Sequence, residues 1–202
     1  MLTLLPPGVM ASWEFTSLRE RCLSTARPLA VLHRRRKGLL HQGYLLTLKV
    51  PAAVELPRFL DNLLSPSYAN RRAIIRSRID QIARFVGQMH RRGVSHRDLK
   101  GSNLLISGTG ECDPADLNVI DLVGVTLARR LSTSRCVQNL ARLNASVGSH
   151  PALTRTDLLR FLRIYLRWGI KGNSGWKHWW REIGEATCAK QERNARNGRA
   201  LH

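Results

Sequence analysis

Acidic residues are scarce: 14 Asp+Glu face 33 Lys+Arg across 202 residues, leaving a formal net charge of +19. Such an excess needs an anionic counterpart, whether nucleic acid, a membrane face or a phosphate-rich substrate. Cysteine is also sparse. Cys22, Cys112, Cys136 and Cys188 are scattered with no C-x-x-C pair, which speaks against a zinc site or a disulfide scaffold and fits a reducing compartment. Aromatics make up only 6%. Uncharged runs such as 1–13 and 38–48 are too short to span a bilayer. No basic segment precedes an apolar one at the start, so no signal peptide is expected.

The chain does have enough apolar residue, 43%, to bury a core. Its charge is uneven: residues 101–150 hold four acidic and four basic residues, while the flanking stretches are strongly basic. A functional carboxylate is best sought in or beside that neutral stretch.

Coarse periodicity yields an α+β pattern. Pro28–Leu32 and Tyr44–Leu48 read as short strands, with Arg34–Lys37 and Gly38 as an exposed turn between them. Ser12–Arg21 and Glu55–Leu64 read as short helices, and Pro51 closes the second strand. Asn70–Arg92 is the clearest helix, because Ile75, Ile79, Ile82, Val86 and Met89 form one stripe and Gly93 stops it. Leu104–Ile106 and Leu117–Asp121 read as strands around a turn at Gly108–Asp116. Asp157–Trp168 and Ser174–Arg199 read as helices.

The chemistry concentrates in His96-Arg97-Asp98-Leu99-Lys100-Gly101-Ser102-Asn103, between the long helix and a strand. It resembles the protein-kinase catalytic loop H-R-D-L-x-x-x-N at every fixed position, and Asp121 closes a strand where kinases place their metal-binding Asp. Phosphoryl transfer depends on positioning and charge neutralisation, which explains the residue types. The resemblance implies that Asp98 accepts the proton of the attacking hydroxyl and Lys100 offsets charge on the transferred phosphate. It further implies that Asn103 and Asp121 hold Mg²⁺ through oxygen, and that His96 and Arg97 hold the loop.

The flanking segments Pro28-Leu-Ala-Val-Leu32, Tyr44-Leu-Leu-Thr47, Pro51 and Leu56-x-Arg58-Phe-Leu60 are similar to the hinge region of the bacterial lipopolysaccharide kinase (Kdo/WaaP) family. Arg160-Phe-Leu-Arg-x-Tyr165-Leu and the basic C-terminal helix are similar to it too. That resemblance implies a protein-kinase-like α+β fold, mainly the helical C-lobe. Residues 1–50 would be a remnant of the N-lobe (the end of a helix, two strands and the hinge), and 51–202 the C-lobe. The implied activity is ATP-dependent phosphorylation of a core sugar, Kdo or heptose, with adenine on the hinge at Leu48, Val50 and Ala52. The implied partners are ATP, Mg²⁺ and an anionic glycolipid precursor, with the protein cytoplasmic or peripheral at the inner face of the inner membrane.

Two departures set the alternatives. Only Gly8 precedes the first expected strand, with no G-x-G-x-x-G, and neither Lys37 nor Lys49 resembles the strand lysine of kinases. Gly124 stands one place later than in D-F-G. A truncated gene product, a catalytically impaired kinase-like scaffold and a Ser/Thr kinase-like enzyme are therefore kept as alternatives. Nucleic-acid binding is set aside, since no zinc finger, RRM signature or aromatic platform accompanies the charge. In the tail, Trp176, Trp179, Trp180 and Ile183 share one face. Packing on the core is preferred there to insertion at a membrane interface.

Overall fold

The computed structural model describes residues 2–5, 23–37, 39–108, 117–122, 124–169 and 175–198. The helix expected over Ser12–Arg21, and nearly all of the turn after Gly108, fall outside them.

One sheet precedes the helices. Strand β1 (Leu2–Leu5) and strand β2 (Pro28–Arg36) flank the central strand β3 (Leu39–Thr47), all antiparallel. Both long strands extend beyond the sequence expectation. Arg34–Arg36, expected in a turn, remain in β2 opposite Gln42, Leu40 and Leu39. The reversal falls at Lys37, whose φ of 50° is left-handed. The end of β2 is exposed on both faces, so consecutive arginines are tolerated there and their charge does not mark a loop. Strand β3 ends at Thr47, ahead of Pro51, and residues 48–50 are irregular.

The rest is mainly helical: α1 (Leu56–Asn62), α2 (Arg71–Arg91), α3 (Thr133–Val147), α4 (Arg155–Trp168) and α5 (Trp176–Arg196). Between α2 and α3 lie short strands. Strand β4 (Val54–Glu55) pairs with β6 (Leu104–Ile106), which pairs with β7 (Leu117–Val119); β5 (Val94–His96) pairs with β8 (Val125–Leu127). Helix α3 and strands β5 and β8 were not expected from sequence.

The expected stripe of α2 is buried along its length: Ile75, Ile79, Ile82, Val86 and Met89 all lie in the core. The helix ends because Gly93 takes φ +75°, and a Cβ there would stand 1.8 Å from the Ala128 carbonyl oxygen. Only glycine fits both the conformation and the approach. The Gly93 carbonyl in turn accepts from the Ala128 N–H at 2.8 Å, which starts the β5–β8 pair and aims the chain at His96.

Helix α4 is fixed to α2 by charge. Thr154 and Asp157 form a capping box, and Asp157 also accepts from Arg72 at 2.7 Å. Burial pushes the Asp157 carboxyl up, but the hydrogen bonds from Thr154 and Arg72 outweigh it and hold it below the usual carboxylate range. Arg160 clasps Asp80 with two bonds of 2.5 and 2.6 Å. Helix α5 packs on α3, with Asn144 donating to Thr187 at 3.1 Å. Trp179 is 1% exposed and meets the Tyr165 ring edge-on at 5.8 Å, whereas Trp176 is 41% exposed. The tail's central tryptophan thus belongs to the core.

Candidate active site

The loop from His96 to Asn103 is held from two sides. On one side is β7 and the residues after it. The Ile120 N–H donates to the Asn103 carbonyl at 3.0 Å, and His96 Nε2 contacts the Ile120 carbonyl at 3.1 Å. The Asp98 N–H donates to His96 Nδ1 at 3.2 Å. These partners fix the tautomer: Nε2 carries the proton and Nδ1 accepts. Burial lowers the His96 pKa below the ordinary histidine value, against the pull of the Ile120 carbonyl and the Asp121 and Asp98 carboxylates. His96 is therefore a neutral clamp between the Asp98 backbone and the segment bearing Asp121.

On the other side is α3. Asn139 Oδ1 accepts from the His96 N–H at 3.0 Å and from Ser95 Oγ at 3.2 Å, and lies 3.2 Å from His90 Nε2. His90 Nδ1 lies 2.8 Å from the Tyr165 hydroxyl. The consistent assignment has Tyr165 donating to His90 and His90 donating to Asn139. Two turns beyond Asn139, at the end of α3, Ser146 Oγ accepts from the Gly101 N–H at 2.9 Å. A Cβ on Gly101 would stand 2.4 Å from Val147 Cγ1, so glycine lets the loop lie against the helix.

Inside this frame the expected residues converge. Asp98 is half exposed, and its Oδ2 lies 3.2 Å from Lys100 Nζ. Asn103 sits in a 3-10 turn and donates its amide N–H to the Asp98 carbonyl at 2.8 Å. Its Oδ1 is thereby turned away from that contact. Asp121 follows Ile120 with φ +55°, a conformation uncommon for a non-glycine residue and characteristic of functional sites. The neighbouring Ile120–Asn103 bond and the buried Leu122 hold it there. The Arg97 stem crosses Gly124, 3.3 Å from where a Cβ would be.

The expected hinge is joined to the same region. The Leu48 N–H donates to the Arg27 carbonyl at 2.7 Å. Nearby, the Val119 N–H donates to the Ser24 carbonyl at 3.1 Å and Thr25 Oγ1 donates to the Val119 carbonyl at 2.8 Å. Residues 24–27 thus bridge the hinge to the strand leading into Asp121. Leu48 has spent its N–H on Arg27, and Ala52 takes φ +50° in a turn with Pro51.

Asn139 and Ser146 escaped sequence reasoning. Their helix carries a signal of its own, the buried stripe Cys136, Leu140, Leu143 and Val147 behind the N-cap Ser132, but nothing in the sequence marks these two polar residues as partners of the loop. Among the described residues no cluster of three His, Cys, Asp or Glu is placed to hold a metal. The pair expected from sequence, the Asn103 carboxamide and the Asp121 carboxylate, is an oxygen set of the kind that a hard cation takes together with waters and substrate oxygens.

The chain is similar to several known proteins. The lipopolysaccharide kinase (Kdo/WaaP) family profile matches residues 3–165. The lipopolysaccharide core heptose(I) kinase WaaP of Pseudomonas aeruginosa is 29% identical over 172 residues, which is 83% of this chain and 63% of that protein. The chain thus spans less than two thirds of the length of this curated relative. A solved structure of WaaP in complex with acyl carrier protein superposes with a TM-score of 0.68 at 26% identity, covering 97% of this chain and 78% of that one.

Proposed function

The chain belongs to the lipopolysaccharide kinase (Kdo/WaaP) family, and we propose that it transfers the γ-phosphate of ATP to a hydroxyl of a lipopolysaccharide core sugar, heptose or Kdo. The observation carrying this reading is the cross-linked loop. Asp98, Lys100 and Asn103 lie within one short segment that Ile120 ties directly to Asp121. In this reading residues 1–50 contribute the N-lobe share of the fold and 51–202 the C-lobe.

Asp98 accepts the acceptor hydroxyl proton, and its half-exposed carboxylate is open to substrate. Lys100, within 3.2 Å of that carboxylate, offsets charge on the transferred group. Asn103 Oδ1 and the Asp121 carboxylate are the residues that would hold Mg²⁺, which neutralises phosphate charge when bound. His96 and Arg97 act by holding the loop. Adenine lies at the hinge beside Leu48, Val50 and Ala52. Because the Leu48 N–H is taken by Arg27, any N–H contact to the base comes from Val50 or Ala52.

The relative's acyl carrier protein extends to this chain as a proposed partner. An apolar cavity of about 200 Å³, lined by residues such as Leu60, Ile79, Leu143, Phe161 and Ile183, has the chemistry an acyl chain requires. Copurification of acylated but not unacylated carrier protein would support that partnership. Among the described residues no helix is long and apolar enough to cross a membrane. Contact with the inner face of the inner membrane is therefore proposed as peripheral, driven by the basic surface.

The direct test is transfer from γ-labelled ATP to a purified core acceptor lacking its phosphate. Label should appear on the sugar. Label confined to protein hydroxyls would contradict the proposal.

A further inference from the structure

Helix α3 carries Asn139, Arg142 and Ser146 at helical spacings of three and seven, so all three lie on one stripe. The outer two mark what the stripe faces, because Asn139 binds the His96 N–H and Ser146 binds the Gly101 N–H. Arg142 is thus set opposite the middle of the loop, where Asp98 lies. Electrostatics agree with the phase. Arg142 is partly buried, and burial lowers its pKa from the ordinary arginine value. Asp98 pulls the other way, and Arg97 and Arg193 add repulsion. The Asn144–Thr187 bond shows how Arg193 reaches this point, since it packs the neighbouring α5 along α3.

Arg97 and Arg193 therefore lie close enough to Arg142 to repel it, and Arg142 lies close enough to Asp98 to be attracted. Among the described residues none of Arg97, Arg142 or Arg193 forms an ion pair with a carboxylate, while Asp98 is paired with Lys100. Cations that repel one another without a counter-ion suit an anion supplied from outside, and arginine's fork matches carboxylate and phosphate alike. The side of the loop identifies the source. The hinge, residues 24–27 and Asp121 all attach through β7, which is the nucleotide side. Arg142 comes from α3, on the opposite side.

We propose that Arg142, flanked by Arg97 and Arg193, is an acceptor-side anion subsite. It would hold a carboxylate or phosphate already present on the sugar acceptor and thereby place the neighbouring hydroxyl at Asp98. This inference rests on the kinase reading of the loop, so its test includes a readout that needs no turnover.

The full chain is titrated with Kdo, mannose 6-phosphate and uncharged mannose, and separately with ATP, as wild type, Arg142→Gln and Arg142→Lys. Wild type should bind the charged sugars about 10-fold or more tightly than mannose. Arg142→Gln should abolish that preference, Arg142→Lys should keep part of it, and ATP affinity should be unchanged in both. With a core acceptor, Arg142→Gln should raise the acceptor KM about 10-fold with kcat within about threefold. A preference surviving in a folded Arg142→Gln protein, its absence in wild type, or a matching loss of ATP affinity would overturn the proposal. Absence of turnover in wild type would instead defeat the activity and leave the binding comparison readable.

Discussion

Replacing Asn139 with Ala should loosen the His96–Asn103 loop from a distance. The Asn139 side-chain oxygen gathers donors from His96 N–H at 3.0 Å, Ser95 Oγ at 3.2 Å and His90 Nε2 at 3.2 Å, all buried. The Ser95 hydroxyl can rotate to another acceptor. The His96 and His90 N–H groups are fixed by the backbone and by the Tyr165 bond, so they are orphaned. A buried orphan donor costs about 1–3 kcal/mol, and two give about 2–5 kcal/mol once some water enters the vacated space. For a chain of this size that is roughly 5–15 °C in Tm. Turnover should fall roughly 10–100-fold, because Asp98 follows His96 and small misplacement is expensive in rate. Asn139→Asp retains an acceptor and should recover most of both losses. Urea unfolding with amide exchange read at His96 measures the effect. A loss under about 1 kcal/mol with His96 exchange unchanged would refute the reasoning.

Other expectations follow the same logic. Gly93→Ala combines φ +75° with a contact of 1.8 Å to the Ala128 carbonyl; it should destabilise by at least about 2 kcal/mol in urea unfolding. Trp179→Ala empties a core site and should cost about 3–5 kcal/mol, while Trp176→Ala should stay within about 0.5 kcal/mol. Equal effects in parallel melts would contradict the packing described for α5. Burial lowers the His90 pKa from 6.5 to about 4, with the Asn139 hydrogen bond opposing. The unfolded chain then takes up a proton near pH 6.5 that the folded one refuses until about pH 4. This contribution should be fully present above pH 6.5 and lost on acidification towards pH 4, by about 3 kcal/mol in all. Unfolding titrations between pH 7.5 and 4 check it, and a flat profile would contradict it.

What the sequence revealed and concealed has a physical basis. The His96–Asn103 segment could be read as kinase-like because its spacing is set by one local turn, and α2 because its five apolar residues keep helical phase from Ile75 to Met89. Helix α3 did carry a readable stripe, since Cys136, Leu140, Leu143 and Val147 keep helical phase and are buried; what its sequence conceals is that Asn139 and Ser146 turn to the loop and bind it. Strands β5 and β8 have three residues each and, unlike the equally short but wholly apolar β6, interrupt their apolar residues with Ser95, His96 and Thr126, so no run or period registers. Arg34–Arg36 looked like a loop because charge was taken for a turn signal, whereas the turn needed only the left-handed residue Lys37. The tail shows the converse. Four residues shared a face in sequence, yet Trp179 is buried while Trp176 is exposed, which depends on where Tyr165 lies.

The central claim is that Asp98 is the base of a phosphotransfer site. Asp98→Asn removes one half-exposed carboxylate whose pair with Lys100 contributes no more than about 1 kcal/mol to stability. Transfer from labelled ATP to a core acceptor should fall about 10²–10⁴-fold, with Tm nearly unchanged and ATP binding retained. Transfer at the wild-type rate in the folded variant would contradict the account.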